Sequence, residues 1–224
     1  MKKRFVITID GPAGSGKSTT ARLVAKRLGF LYIDSGALYR AFTLEVLNQG
    51  ISVDDEEALV TLLGRTRFEI ANSENGCKIF LNGKDVTNDI RSQEVTANVS
   101  IVSEYPKVRE VITQKQREIA DRHSVVLEGR DIGTVVFPDA DLKFFMVASL
   151  RERAKRRFSE LQSKGIKTKL DEVERDIVRR DKHDAERKIS PLSKASDAIL
   201  LDTTNMSIDE QVEYVVQKVS SMLI

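Results

Sequence analysis

The chain of 224 residues has only one cysteine, Cys77, and two histidines, His123 and His183. A lone cysteine excludes an internal disulfide and a cysteine-cluster metal site, and two histidines are too few for a histidine-rich one. Long apolar runs are missing as well. The longest, Phe144 to Ala148, falls far short of the roughly 18 residues of a membrane span. The opening MKKRFVITID is basic and then apolar, but its apolar part is short and runs into Asp10 and a glycine loop, so it reads as a first strand rather than a signal peptide. Charge of one sign is not in excess either: 36 Lys and Arg stand against 34 Asp and Glu, a net +2, which excludes a chain-wide polyanion binder. Repeats, low-complexity tracts and proline-rich linkers are absent. A cytoplasmic protein without a membrane segment is expected.

What is present suits an α/β domain. Apolar residues make up 41% of the chain, enough for one sizeable core with an insertion, or for two small lobes. Five short runs, Phe5–Ile9, Leu31–Ile33, Ser124–Leu127, Leu142–Val147 and Ala198–Leu201, are nearly all apolar, as in strands buried on both faces of a parallel sheet. Helical spacing separates them. Ala21, Val24, Ala25 and Leu28 share a face, with Gly29 as the stop. Ser149 with Glu152 fits a capping box before the stripe Leu150, Ala154, Phe158 and Leu161, and Ser207 with Glu210 fits another before a last helix. The alternation predicts a doubly wound sheet. Residues 65–90 break it: FEIA, the turn NSENG, and CKIFLNGKDVT with Asn82-Gly83 as a second turn predict a small β insertion.

The stretch from Gly11 to Ser18, GPAGSGKS, matches G-x-x-x-x-G-K-[ST] at every fixed position and lies between a predicted strand and a predicted helix. Small residues let successive backbone N–H groups turn inward around a phosphate, and the following helix points its positive end at the same group. Lys17 supplies a cation for the β- and γ-phosphates, and the Ser18 hydroxyl can ligate Mg²⁺. The expected ATP-binding stretch is Gly11, Pro12, Ala13, Gly14, Ser15, Gly16, Lys17, Ser18 and Thr19. A nucleoside triphosphate therefore occupies this loop.

A phosphate loop does not name the acceptor. A GTPase requires an NKxD guanine motif and a DxxG switch, and neither is found. Arginines instead gather in loops and at element ends: Arg40, Arg130, Arg180 and Arg187. Several planar cations around two phosphate sites suit direct phosphoryl transfer. Arg180, Asp184 and Arg187 are spaced to share one face of a helix near residues 171–187, either as an ordinary surface pair or as a carboxylate held for a ligand hydroxyl. Residues 149–169 carry eight Lys or Arg against Glu152 and Glu160, either a solvated face or a surface for a polyanion.

Five further segments, DSGALYR (Asp34–Arg40), SQEVTANVS (Ser92–Ser100), YPKVRE (Tyr105–Glu110), EGRDIGTVVFPDAD (Glu128–Asp141) and RRDKHDAER (Arg179–Arg187), resemble the bacterial cytidylate kinases in order along essentially the whole chain. The resemblance implies a nucleoside monophosphate kinase: a five-stranded parallel sheet flanked by helices as core (residues 1–34, 122–148 and 189–224), a monophosphate-binding region with the β insertion (about 35–121) and a helical lid (about 149–188). It implies reversible, Mg-dependent transfer of the ATP γ-phosphate to CMP or dCMP, with ATP, ADP, CMP and dCMP as partners and no nucleic acid; a monomer is expected, though the sequence itself does not fix the oligomeric state. It implies that Arg40 and Arg130 hold the acceptor phosphate, that Ser100, Arg109 and Asp131 read the cytosine edge with Ser35 and Arg187 nearby, and that Arg180 and Asp184 meet the pentose. Lys17, Arg130 and Arg180 become the catalytic cations, and Arg153, Arg156 and Arg157 lid residues beside the donor phosphates.

Each of these residues has a plainer role open to it. Ser35 can cap the helix that follows it, Arg109 can be solvated, Arg130 and Asp131 can pair with one another, and Tyr39 can serve packing alone. Asp34 either stands behind the metal or ends its strand. The third strand ends in Glu128, so no strand-end aspartate presents itself as a metal ligand. Three rival functions remain open: a kinase for another acceptor such as UMP or shikimate, a GTPase switch, and a nucleic-acid module built on residues 149–169.

Overall fold

The computed structural model describes residues 4–73, 76–163 and 165–223. The principal sheet is five-stranded, in the order β2-β6-β1-β7-β8, and a second has the order β3-β4-β5. The strands are β1 (Val6–Asp10), β2 (Leu31–Asp34), β3 (Phe68–Ser73), β4 (Gly76–Leu81), β5 (Lys84–Asp85), β6 (Val125–Gly129), β7 (Leu142–Val147) and β8 (Ile199–Asp202). The helices are α1 (Lys17–Leu28), α2 (Ser35–Asn48), α3 (Glu56–Arg65), α4 (Gln93–Glu104), α5 (Pro106–Ala120), α6 (Leu150–Ser163), α7 (Leu170–Glu186) and α8 (Ile208–Leu223). All five apolar runs are strands of the larger, parallel sheet: three are displaced by about one residue toward the C-terminus, β2 is one residue longer than its run, and β7 matches its run. None of the described helices is long and apolar enough to cross a membrane.

The chain forms two compact units, Leu31–Val125 and Phe5–Phe30 with Val126–Ile224. In the second, β1 pairs in parallel with β7 (Ile7 with Leu142, Ile9 with Phe144) and β7 with β8 (Phe144 with Ile199). Residues 7 to 10 of β1 are all buried, which explains why its sequence is a continuous apolar run broken only by Thr8 and Asp10. α1 lies against α8, joined by Thr20 Oγ1 to Gln211 Oε1 at 2.8 Å and by Arg27 with Glu213 at 2.7 Å. Gly29 ends α1 in the left-handed region at φ 69°, as its position predicts.

The capping box at Ser207 and Glu210 forms in full, whereas at Ser149 only half of one does, because the Ser149 N–H donates to Thr204 Oγ1 and Glu152 pairs with Arg156. Ser149 Oγ accepts from the Glu152 N–H at 3.3 Å, and Ser207 exchanges bonds with Glu210 in both directions. The stripe Leu150, Ala154, Phe158 and Leu161 packs on Leu170, Val173 and Ile177 of α7, so α6 and α7 form a helical pair with its own small core. Between β6 and β7 the chain makes a π-helical turn, Ile132–Val136. Five residues without periodicity gave no sign of it.

In the first unit the insertion is an antiparallel three-stranded sheet. Its second turn has Asn82 at φ 49° and Gly83 at φ 83°, the pair of positive values that an Asn-Gly hairpin requires. The NSENG turn includes residues 74 and 75, which lie outside the described residues. Ile79, Leu81, Val86 and Ile90 pack on Ala37 and Ala41 of α2, so this sheet shares a core with that helix. The cap of α2 is Asp34, whose Oδ1 accepts from the Ala37 N–H at 3.0 Å. Asp34 thus ends its strand by starting a helix, and Ser35, the alternative cap, is the first helical residue and is buried.

Candidate active site

Residues 11–16 join β1 to α1 by turns that only glycine allows. A Cβ on Gly11 would lie 2.1 Å from the Met146 carbonyl oxygen, and Gly14 adopts φ 76° against the backbone of Arg153. The loop therefore runs close against the end of β7 and the start of α6, where a side chain at either glycine would collide with backbone. Ser15 is buried, and its Oγ makes no hydrogen bond among the described residues. Lys17 opens α1, its Nζ donating to the Pro12 carbonyl at 3.3 Å and standing 3.8 Å from Glu128 Oε2. Ser18 Oγ donates to Glu128 Oε1 at 2.6 Å.

Glu128 is a residue that the sequence reading set aside. It is the last residue but one of β6, almost fully buried, and its carboxylate meets both Ser18 and Lys17. The available signal was an acid near the end of an otherwise apolar strand. An Mg²⁺ ion takes oxygen ligands and keeps several waters, and the Ser18 hydroxyl with the Glu128 carboxylate beside it is a fitting oxygen pair.

Asp10, the last residue of β1, is equally buried. Its Oδ1 accepts from the Ile132 N–H at 2.9 Å and its Oδ2 from the Gly133 N–H at 2.7 Å. Burial pushes this carboxyl up to about 6, against the pull of the two amides and of Lys17; Asp131 adds to the rise.

Arg153 and Arg156 of α6 both reach the phosphate loop, from its carbonyl side. Arg153, itself buried, donates through Nη1 to the Ala13 carbonyl at 3.0 Å and to Asp181 Oδ2 at 2.5 Å. Asp181 also accepts from the Ala13 N–H at 3.4 Å. Arg156 donates to the Ser15 carbonyl at 3.3 Å and to the Thr203 carbonyl at 2.6 Å. Arg157 pairs with Glu160 at 2.6 Å across the exposed face of its own helix.

The guanidinium cluster centres on Asp184. Arg130 Nε donates to Asp184 Oδ2 at 2.6 Å, and Arg187 lies 3.7 Å from Oδ1. Burial raises the Asp184 carboxyl, but the charge and hydrogen bond of Arg130, with Arg187 and Arg180, outweigh it and hold the group below the usual range. Arg180 precedes Asp184 by one turn of α7, and Arg187 follows the end of that helix as its C-cap residue. The partner that helical spacing missed is Arg130, 54 residues away in sequence. Asp131 is buried and begins the π-helical turn without capping it.

The remaining expected residues lie in the first unit. Arg109 of α5 is 6% exposed, lies over the Tyr39 ring at 5.3 Å and donates to the Ser103 carbonyl at 3.0 Å. It is therefore not a solvated helix residue, and Tyr39 supports it as well as packing. Arg40 Nη1 donates to Thr96 Oγ1 at 2.9 Å. Ser100 is exposed on α4.

Known proteins carry the same pattern. A family model described as cytidylate kinase matches residues 7–221. A protein named cytidylate kinase from Geobacillus sp. (strain WCH70) is 49% identical over 223 residues, all of both chains. One of the same name from Ligilactobacillus salivarius (strain UCC118) is 51% identical over 212 residues, 95% of each. Among solved structures, an uncharacterized protein from Eubacterium ventriosum aligns with TM-score 0.51 at 13% identity, over 97% of this chain and 99% of that one, a likeness of fold alone. With a phosphate loop closed by Lys17 and Ser18, a guanidinium cluster on Asp184 and relatives of half-identical sequence along its full length, this chain belongs to the cytidylate kinase family.

Proposed function

We propose that the protein is a cytidylate kinase that transfers the γ-phosphate of ATP to CMP or dCMP, reversibly, acting as a cytoplasmic monomer. The observation that carries the choice of acceptor is the match to relatives of that name along the whole chain. The phosphate loop supports ATP as donor. Ser18, with Glu128 behind it, holds Mg²⁺ in this reading, and the ion when bound neutralises charge on the donor phosphates.

The chemistry asks for positioning more than for acid or base. The acceptor phosphate is already ionised near neutral pH. One of its oxygens forms the new bond to the γ-phosphorus, while the bond to the ADP oxygen breaks and ADP takes the electron pair. Lys17, Arg130 and Arg180 stabilise charge spread over the transferring group. Arg40 and Arg130 hold the acceptor phosphate, and Asp184 and Arg180 meet its pentose with Arg187 alongside. Ser100, Arg109 and Asp131 read the base, with Ser35 beside them. Residues 149–188, the pair α6 and α7, close as a lid that keeps water from the phosphates, carrying Arg153, Arg156 and Arg157 with it.

Base reading gives the test. Cytosine offers an amino donor at position 4 and an acceptor at N3, suited to a carboxylate at Asp131 and a guanidinium at Arg109. Uracil reverses both groups. Two mismatched buried contacts cost on the order of 1–3 kcal/mol each, so UMP is expected to be poorer by roughly 30- to 20,000-fold in kcat/KM. Asp131→Asn is expected to narrow the CMP/UMP ratio, chiefly by harming CMP. An unchanged ratio would remove Asp131 from base recognition.

A further inference from the structure

Arg153 and Arg156 stand three residues apart on α6 and so share a face of the helix. That face meets alternate carbonyls of the phosphate loop. Arg153 Nη1 donates to the Ala13 carbonyl at 3.0 Å. Arg156 Nη1 donates to the Ser15 carbonyl at 3.3 Å, and the Thr203 hydroxyl donates to the same oxygen at 2.9 Å. Both guanidinium groups are anchored elsewhere as well. Arg153 Nη1 also donates to Asp181 Oδ2 at 2.5 Å, and its Nε to the Ala148 carbonyl at 3.1 Å. Arg156 Nε donates to Glu152 Oε1 at 3.0 Å, and its Nη2 to the Thr203 carbonyl at 2.6 Å. All three nitrogens of Arg156 therefore go to protein oxygens. The peptide bonds are trans, and in a trans peptide the carbonyl of one residue and the N–H of the next point in opposite directions. Holding the Ala13 and Ser15 carbonyls toward the two guanidinium groups thus turns the amides of Gly14 and Gly16 away from them. Neither amide has a hydrogen-bond partner among the described residues. Both glycines stand at positive φ, 76° and 94°, and a residue without a Cβ restrains its own φ least. These two peptide planes are set less by the chain itself than by what grips them.

We infer that Arg153 and Arg156 are positioning residues of the donor site: by gripping the carbonyls of Ala13 and Ser15 they orient the Gly14 and Gly16 amides to the donor phosphates, which the two side chains themselves do not touch. The inference rests on the reading of the loop as the ATP site, and it gives these two lid residues their part when α6 is seated on the loop. Amides oriented beforehand bind an anion without first having to be ordered. A guanidinium suits the task because its planar fork reaches a loop carbonyl and an anchoring oxygen together. A lysine in either place keeps the charge and loses the fork.

Four variants test it: Arg153→Met, Arg156→Met, Arg153→Lys and Arg156→Lys. Binding of MgADP and of MgATP is measured by calorimetry without an acceptor. The order of the glycine amides is measured by ¹⁵N relaxation in the nucleotide-free protein, with Gly29 and Gly83 as references. Each methionine variant is expected to bind both nucleotides about 10-fold more weakly, in equal measure, because the loop cradles phosphates that the two share. The order parameter of the amide beside the lost grip, Gly14 in Arg153→Met and Gly16 in Arg156→Met, is expected to fall from about 0.85 toward 0.6, with the reference glycines unchanged. Lysine is expected to leave most of both losses in place. A greater loss for MgATP than for MgADP would overturn the inference, since it would put the arginine on the γ-phosphate itself. Full recovery with lysine would overturn it too, by making charge rather than grip the cause, as would glycine amides as ordered as in the parent. The parent's own affinity for MgADP decides the underlying reading, so the two failures are distinct. If a methionine variant does not fold, its lysine counterpart carries the same readouts, and failure of all four to fold would assign both arginines to the fold and refute the proposal.

Discussion

Removing the Asp184 carboxylate is expected to destabilise the protein and slow it at once. In the parent, Asp184 accepts a 2.6 Å charge-assisted bond from Arg130 and faces Arg187 at 3.7 Å. The side chains of Asp184, Arg130 and Arg187 are only 11%, 16% and 12% exposed. Asp184→Ala therefore leaves two largely buried guanidinium groups without their shared counter-charge. Breaking a buried ion pair by deleting one partner costs about 3–5 kcal/mol. Residual exposure of the arginines brings this to about 2–4 kcal/mol. At about 2–4 °C per kcal/mol for a chain of this size, the expected fall in Tm is about 5–15 °C, read by calorimetry at pH 7. Because the carboxyl is held below its usual range, its contribution is present above the ordinary value and is lost as pH falls through the lower folded one. The gap between variant and parent is thus constant at neutral pH and closes only in strong acid. In turnover assays at a temperature where both are folded, KM for CMP is expected to rise and kcat to fall, with KM for ATP little changed. A Tm within about 2 °C of the parent would refute the view of Asp184 as the keystone of the cluster, and unaltered CMP kinetics would refute its contact with the acceptor.

Three other outcomes are expected. Lys17→Met keeps the packing of the lysine stem but removes its charge, so a folded protein with kcat reduced at least about 100-fold is expected; near-normal turnover would take Lys17 out of the mechanism. Glu128→Gln leaves Ser18 a hydrogen-bond partner without the negative charge, and the Mg²⁺ concentration for half-maximal rate is expected to rise about 10-fold; an unshifted Mg²⁺ titration would separate Glu128 from metal binding. Asp10 acts on stability with the opposite sign to Asp184: raised to about 6, its favourable contribution is complete below about 4 and is lost as pH rises through about 6. Parent minus Asp10→Asn, followed by urea unfolding from pH 4 to 7, is expected to show that loss as a slope of up to about 1.4 kcal/mol per unit, and a flat difference would contradict it.

Much of this was readable because it is local. Strands buried on both faces must be apolar throughout, so β1 and β6 stood out; β8 stood out as an apolar run although it lies at the sheet's edge with Leu200 exposed, and the phosphate loop carries its chemistry at fixed spacing. Asn82-Gly83 named its own turn, and spacing alone put Arg180 and Asp184 on one helix, although Arg187 lies just past its end. What escaped depends on residues far apart in the chain. Nothing near Glu128 tells that its carboxylate meets Ser18, 110 residues earlier, or that Arg130 is the first partner of Asp184. Asp181 gave no signal either, although it accepts from both Arg153 and the Ala13 amide. The π-helical turn at Ile132–Val136 has no period to detect, and with it the role of Asp10 stayed hidden. The basic stretch 149–169 divides in the structure. Arg153 and Arg156 turn inward to backbone carbonyls of the phosphate loop, whereas Arg157 pairs on the surface, a distinction that composition cannot make.

The central claim is the identity of the acceptor, and ADP formation from MgATP with CMP, dCMP, UMP, AMP, shikimate or no acceptor tests it most directly. The account predicts rapid ADP release with CMP and dCMP, matched mole for mole by CDP or dCDP, slow release with UMP and almost none with the rest. ADP released at the same rate without an acceptor, or fastest with a substrate other than a cytidine monophosphate, would contradict it.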